Sequence, residues 1–256
     1  MRKTTLVLFI IFAAVGLHCY RLVRSPLAPL PADAAAAASA QQPAPAAPEP
    51  ARPKPPDARA GEEIVYNISF GGFVVGEARF ACLTNTSLNG VDVNVMTFKT
   101  DAPRFADTET IYSDPGSHLP FRVERDILQW PFREKIVEVY DQKNFTVTIT
   151  KDPGSTHTIT RDRPIHNAIL LPYFLRRMDN LGEGWKMAVT FPTHQFLVTL
   201  VSVDDLEVPA GTFKAYHFRS DPFKFEIWIT ADERKIPVKI QGLDLFGYTL
   251  AMKEYN

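Results

Sequence analysis

The chain has 256 residues, 45% of them hydrophobic, and a formal net charge of −1. This length and composition allow one or two domains with a substantial apolar core. The near-neutral charge argues against nucleic acid as a partner, because a nucleic-acid-binding protein is expected to carry a basic surface.

The first 24 residues are predicted to be an export segment. Arg2 and Lys3 give it a positive start, and residues 4–17 are almost entirely apolar, as in a secretory signal. The apolar run can be extended to Val23, about 20 residues, which is just enough to span a bilayer. Residues 1–24 are therefore either a cleaved signal peptide or an inner-membrane anchor through residues 4–23. In both cases the rest of the chain is expected to face the periplasm.

Residues 25–60 have a different composition, dominated by Ala and Pro. Such a segment cannot form a core, and its prolines favour extended polyproline II conformations. It is predicted to be a disordered linker, either a spacer that holds the folded domain off a membrane or a leader without a function of its own.

From residue 61 the sequence is typical of an all-β domain. Short runs of alternating apolar and polar residues are separated by turn signals such as Asn89-Gly90, Asp114-Pro115-Gly116 and Asp152-Pro153-Gly154. Turn signals every 8–12 residues indicate a sandwich or a barrel. Strands are predicted at 64–70, 73–83, 91–99, 108–112, 121–127, 135–140, 144–150, 156–160, 185–191, 194–203 and 247–255, with a loop at 101–105.

One segment, residues 167–178, interrupts the strand pattern. Asn167 can cap a helix, and Leu170, Phe174 and Leu175 form an apolar stripe at helical spacing. Pro172 lacks the N–H group of a helix interior, so this helix is expected to be short or kinked.

Residues 206–240 are predicted to form successive antiparallel strands with tight turns. Pro209 and Gly211 mark the first turn and Asp221-Pro222 the second. Between residues 223 and 230, Phe223, Phe225, Ile227 and Ile229 alternate with polar or larger amphipathic residues, which is strand periodicity.

Four stretches carry a resemblance to a known family. They are Val208–Lys214, Ile227–Val238, the opening Gly61–Phe70 and the following Gly76–Ala78. Together they resemble the bacterial exported family known as domain of unknown function 3108, over about residues 61–252. The resemblance implies a β-rich domain over residues 61–256. Its motifs are turn and packing residues, so it implies no catalytic residue.

The sequence shows no familiar catalytic, phosphate-binding or metal-binding motif. The histidines after residue 60 are widely separated, and none of them is paired at metal-ligand spacing. Cys19 lies in the export segment and Cys82 on the apolar face of a strand, so no disulfide within the chain is expected. We therefore expect neither an enzyme nor a cofactor.

The expected fold class is mainly β, a single curved antiparallel sheet that forms a half-open barrel or a sandwich with one short helix near 167–178. One helix cannot cover a whole concave face, and uncovered apolar surface favours a cavity. By analogy with exported half-barrels that carry lipoproteins, the expected function is binding or carriage of a lipid or acyl chain. Trp130 and Phe132 are candidate lip residues, and Tyr173 and Phe174 a candidate lid. The alternative is a membrane-tethered scaffold or interaction module, in which these aromatic residues are ordinary core.

Overall fold

The computed structural model describes residues 60–182, 184–243 and 247–256. The predicted export segment and almost all of the predicted linker lie outside these residues. The elements are β1 (Glu63–Phe70), β2 (Phe73–Cys82), β3 (Thr86–Leu88), β4 (Val91–Ala102), β5 (Phe105–Ser113), β6 (Pro120–Gln129), β7 (Phe132–Asp141), β8 (Thr146–Asp152), β9 (Thr156–Thr160), α1 (Leu171–Leu175), β10 (Lys186–Thr190), β11 (Gln195–Val208), β12 (Gly211–Asp221), β13 (Phe225–Thr230), β14 (Pro237–Gly242) and β15 (Tyr248–Tyr255).

The strands form one open antiparallel sheet, which confirms the predicted fold class. The order is β10-β11-β12-β13-β14-β15-β1-β2-β4-β5-β6-β7-β8-β9, and the short β3 pairs with β4. Nearly all neighbours in space are neighbours in sequence, joined by hairpin turns. There are two exceptions: β2 pairs with β4, with β3 between them in sequence, and β15 pairs with β1 in the middle of the sheet.

Alternation along the strands gives the sheet one buried face and one exposed face. In β5, for example, every second residue from Phe105 to Ser113 is buried and the residues between them are half-buried. On the outer face of β8 and β9, threonine hydroxyls pair across the strands, with 3.0 Å between the Oγ1 atoms of Thr148 and Thr158. The sequence pattern therefore decides which face turns inward.

Glycine permits a close approach of two strands at Gly76 in β2. A Cβ atom there would lie 2.3 Å from the Asp101 carbonyl oxygen and 2.8 Å from the Cβ of Ala102. The pairing register of β1 and β2 also shifts between Ile68 and Ser69, directly opposite this position. A bulge of this kind increases the local twist and helps the sheet to curve.

The helix is shorter than the predicted segment 167–178. The Oδ1 atom of Asn167 accepts hydrogen bonds from the N–H groups of Ile169 and Leu170, at 2.8 and 3.2 Å, so Asn167 caps a turn that precedes α1. Pro172 lies in the first turn of α1, where N–H groups have no hydrogen-bond partner within the helix, so the helix tolerates a residue without one.

The core consists of two clusters of buried side chains, and α1 contributes to both. Leu170 and Tyr173 belong to the larger cluster, which is centred on β1, β2, β4–β8 and β15. Leu171 and Leu175 belong to the second cluster, formed by β10–β13. The sheet thus curves around α1, which is buried between its two halves.

The segment before α1 connects the two halves of the sheet. Gln142 holds it to one half, since its side chain exchanges hydrogen bonds with the backbone of Ile165 at 2.9 and 3.0 Å. On the other side, the backbone N–H of His166 donates to the Thr190 carbonyl oxygen of β10 at 2.7 Å. Burial lowers the pKa of His166 to about 4, so its imidazole stays neutral above that pH.

Two local predictions differ from the structure. The predicted loop at 101–105 is reduced to a tight turn, because β4 continues to Ala102 and β5 begins at Phe105. The predicted strand from Phe223 begins instead at Phe225. The Ser220 hydroxyl accepts hydrogen bonds from the N–H groups of Lys224 and Phe225, at 2.9 and 3.0 Å, which keeps the preceding residues in the turn.

Candidate functional site

A cavity of about 140 Å³ lies between the concave face of the sheet and the segment that includes α1. Its walls are mainly apolar and come from both halves of the sheet. The lining residues that carry the later argument are Phe80, Phe98, Phe196, Phe225, Ile227 and Leu250. Ala168 and Lys224 are the exposed residues of the lining, so they mark where the cavity opens.

Contacts of Tyr173, in the middle of α1, and of Arg176, just after it, hold this wall of the cavity in place. Tyr173 stacks on Phe80 of β2 with ring centroids 4.1 Å apart. Just after the helix, the guanidinium of Arg176 forms a buried ion pair with Glu62, with 3.0 Å between Nη2 and Oε2. The same Nη2 donates to the Arg234 carbonyl oxygen, also at 3.0 Å. A buried charge is costly unless it is paired and hydrogen-bonded. Arg176 therefore holds the end of α1 both to Glu62, just before β1, and to Arg234, in the β13–β14 turn.

A glycine shapes the wall near β14 and β15. A Cβ atom on Gly242 would lie 2.3 Å from the ring of Tyr248, so only glycine lets that ring lie flat against the strand. Both residues line the cavity. A side chain at position 242 would therefore displace the Tyr248 ring and change the shape of the cavity.

Three buried charged side chains lie in the mainly apolar lining. Asp107 and Glu109 are neighbours on the inner face of β5, and Arg125 lies opposite Glu109 on β6. The Arg125 guanidinium pairs with Asp107 through Nη2, and its Nε lies 3.1 Å from Oε1 of Glu109. The three side chains are between 7% and 10% exposed. We call these residues the charged cluster.

The pKa of the Glu109 carboxyl is raised to about 7, and the largest cause of this shift is its burial. Arg125 lowers this pKa, whereas the negative charges of Asp107 and of Glu138 on β7 raise it. Burial also raises the pKa of Glu138, although the Tyr140 hydroxyl donates a hydrogen bond to it. The charged cluster therefore gains a negative charge as the pH passes through neutrality.

Another lining residue, Tyr173, carries a buried hydroxyl. Tyr173 is 1% exposed, and its hydroxyl has no hydrogen-bond partner among the described residues. Burial raises its pKa well above the usual range, so the hydroxyl keeps its proton. A buried hydroxyl without a partner lowers the stability of the folded protein by roughly 1–3 kcal/mol. A ligand group that hydrogen-bonds to it would remove this cost.

Of the two predicted lid residues, only Tyr173 lines the cavity. Phe174 points away from it and contacts His166 edge-on, with ring centroids 5.1 Å apart. Phe174 therefore packs against the connecting segment that joins the two halves of the sheet. Its proposed role in ligand binding stays a prediction.

The predicted lip residues Trp130 and Phe132 lie at the β6–β7 turn, outside the cavity lining. They are 56% and 73% exposed. The guanidinium of Arg104, in the neighbouring β4–β5 turn, lies 5.1 Å from the centre of the Trp130 ring. Trp130 borders a separate, shallow depression at these two turns. The structure therefore brings Tyr173 to the cavity but not Trp130, Phe132 or Phe174.

The charged cluster was not among the residues singled out from the sequence. A signal for it was present, because Glu109 shares the alternating position of Ile111 in the predicted strand 108–112, and Phe105 and Asp107 continue this alternation just before it. Charged residues at inward positions of an amphipathic strand are unusual and point to a site or to a buried ion pair. Their partner, Arg125, becomes evident only once the strand register is known.

Within the part of the chain that the structure describes, no group of three or more His, Cys, Asp or Glu side chains is arranged to hold a metal ion. Residues 60–182, 184–243 and 247–256 also include no helix long and apolar enough to cross a membrane. The thiol of Cys82 is buried.

The fold and the site define a class of protein: an all-β domain whose single open sheet encloses a mainly apolar cavity with a buried charged cluster. The chain matches the family described as "Protein of unknown function (DUF3108)" over residues 65–253 and belongs to it. No curated protein matches the chain. Among solved structures, it is similar to a candidate lipoprotein from Parabacteroides distasonis ATCC 8503, with 10% identity and a TM-score of 0.28, covering 77% of this chain and 95% of the other.

Proposed function

We propose that this protein is a non-enzymatic binder or carrier of an apolar ligand, such as a lipid or acyl chain, in the bacterial cell envelope. The observation that carries the proposal is the cavity of about 140 Å³ between the sheet and α1. Well-packed cores contain few voids larger than a water molecule. An apolar cavity of roughly 150 Å³ is known to stay dry and to bind benzene.

The size of the cavity sets the affinity to expect. A space that suits one benzene-sized group takes roughly five methylenes of an alkyl chain, and each buried methylene contributes about 0.8 kcal/mol. A gain of about 4 kcal/mol corresponds to a Kd of about 1 mM at best, because the freedom lost on binding offsets part of it. A longer chain would bind more tightly only where its remainder is covered at the mouth, beside Ala168 and Lys224.

The proposed location in the envelope rests on the N-terminal sequence. Arg2 and Lys3 precede the apolar run of residues 4–23, and the Pro- and Ala-rich residues 25–60 follow it. An exported domain on such a linker could collect an apolar ligand at a membrane surface. Fusion of a reporter to the C-terminus tests this, since a reporter active only in the cytoplasm contradicts the proposal.

Binding can be tested on the purified protein with 1-octanol, titrated by NMR chemical shifts, and with native mass spectrometry for lipid that copurifies. Ala168→Trp adds an indole ring at an exposed position of the mouth, so it should block binding with little effect on the fold. The matched control is Val201→Trp, since Val201 is 41% exposed on β11 and does not line the cavity. Two results would contradict the proposal: the parent protein does not bind octanol, or Ala168→Trp and Val201→Trp bind it equally well.

A second function, a scaffold or interaction module, is favoured by a different observation. Exposed apolar side chains lie at two turns on the same end of the sheet, β1–β2 and β6–β7. They are Phe73, Val74, Leu128, Trp130 and Phe132. Exposed apolar groups close together are typical of a contact surface. If octanol does not bind, this function becomes the better explanation of the fold.

A further inference from the structure

We infer that the charged cluster selects the polar end of the ligand, so that the cavity takes an alkyl chain ending in an amine or another hydrogen-bond donor and rejects a free carboxylate. This inference rests on the proposed function and narrows its ligand class. The three residues of the cluster form part of the cavity wall.

The first argument is the balance of charge in the cluster. Two carboxylates, Asp107 and Glu109, face the single guanidinium of Arg125. Its Nη2 and Nε already contact both carboxylates, the Nε at 3.4 Å from Asp107 Oδ1 and at 3.1 Å from Glu109 Oε1. A ligand carboxylate would add a third negative charge to one positive charge in a largely dehydrated site. An ammonium or hydroxyl group would instead donate a hydrogen bond to a carboxylate oxygen.

The surroundings of the cluster strengthen this preference. On the inner face of the neighbouring strands lie two more carboxyl groups, Glu134 and Glu138 of β7. The nearby cation is Lys151 of β8, whose Nζ lies 3.8 Å from Glu134. His157 of β9 lies opposite Ile149 on the same face, and Tyr140 donates to Glu138. Carboxylates therefore outnumber cations on this half of the concave face.

A second, independent observation also points to a ligand with a polar group. Tyr173 lines the same cavity, and its buried hydroxyl has no hydrogen-bond partner within the described ranges. Buried polar groups in proteins are almost always hydrogen-bonded. A purely hydrocarbon ligand would leave this hydroxyl unsatisfied, whereas a ligand with a donor or acceptor could satisfy it.

The other charged residue of the lining does not change the conclusion. Lys224 is exposed, so its ammonium is at the mouth and in contact with water. Interactions between exposed charges are weak and are screened by salt. An anionic ligand could meet Lys224 on entering, but its carboxylate would then stay at the mouth instead of reaching the charged cluster.

The test compares three ligands of equal chain length, octylamine, 1-octanol and octanoate, titrated into the purified protein at pH 8. At this pH the amine carries a positive charge and the acid a negative one. We expect octylamine to bind at least about tenfold more tightly than octanoate, with octanol between them. Octanoate that binds as tightly as octylamine overturns the inference and leaves the proposed function standing. If none of the three binds, the proposed function itself fails and the inference fails with it.

Variants separate selection by the cluster from a purely structural role. Glu109→Gln should reduce the advantage of octylamine over octanol by about tenfold. Glu77→Gln is the control, because Glu77 is an exposed carboxylate of β2 that pairs with Lys253 and does not line the cavity. It should change the ratio less than about twofold. Equal effects of the two substitutions, or octylamine binding that survives Ala168→Trp, contradict the inference. If Glu109→Gln does not fold, the comparison of three ligands on the parent protein still decides.

Discussion

The charged cluster predicts that Glu109→Gln changes how the stability of the protein depends on pH. The pKa of Glu109 is about 7 in the folded protein and starts from 4.5 in the unfolded chain. The folded state therefore holds this proton to a higher pH than the unfolded state does. The stabilisation of the folded state by this proton is complete below about pH 4.5. It decreases as the pH rises and is lost above about pH 7.

The expected magnitude follows from the same two values. Each unit of pKa difference corresponds to 1.36 kcal/mol, so the parent protein loses about 3 kcal/mol through this group between pH 4.5 and 7. Gln resembles the protonated carboxyl in size and does not titrate. We therefore expect the free energy of unfolding of Glu109→Gln, relative to the parent, to rise by about 3 kcal/mol between pH 5 and pH 8.

Urea unfolding of both proteins, followed by circular dichroism across this pH range, measures the difference. The control is Glu77→Gln, since the Lys253 side chain hydrogen-bonds to the exposed Glu77 and lowers its pKa. Its stabilisation is lost as the pH falls, so the Gln variant should not gain on the parent between pH 5 and pH 8. A difference between Glu109→Gln and the parent that stays constant with pH would refute the account of a buried, proton-holding carboxyl.

Three further predictions concern the scaffold around the cavity, and each is checked by urea unfolding. Gly76→Ala should destabilise the protein by about 1–3 kcal/mol, because its Cβ would lie 2.3 Å from the Asp101 carbonyl oxygen. An unchanged urea midpoint would mean that β2 and β4 move apart at little cost. Arg176→Met should cost about 3–5 kcal/mol, since it leaves Glu62 charged and buried; a neutral result would mean that Glu62 takes up a proton or reaches water. Phe132→Ala should change stability by less than about 0.5 kcal/mol, because this ring is 73% exposed; a large loss would place it in the core.

Local patterns in the sequence were enough to predict most of the fold. Alternation identified the strands, and Asn89-Gly90 identified a hairpin whose two turn residues have φ values of 53° and 80°. The helix was placed correctly but extended too far. Its length depends on where Asn167 directs its side chain, and the residue type alone does not decide between capping a turn and capping the helix.

The site was harder to predict because it depends on contacts between distant residues. Arg125 meets Glu109 only through the register of β5 and β6. Phe174 and Tyr173 are adjacent aromatic residues, yet one contacts the connecting segment and the other the cavity. Which side of a short helix faces a cavity is determined by tertiary packing, and the single turns before and after α1 leave the sequence periodicity too short to show it.

The pairing of β1 with β15 has a consequence for the order in which the protein can assemble. Residues 63–70 and 248–255 lie side by side in the middle of the sheet, although nearly the whole described chain separates them. Hairpins from β4 to β9 can form as soon as their residues are available, whereas the centre must wait for β15. Until then β1 and β14 present unpaired edges, which are prone to pairing with other chains. A chain that crosses a membrane before it folds would therefore stay vulnerable to aggregation until this last strand arrives.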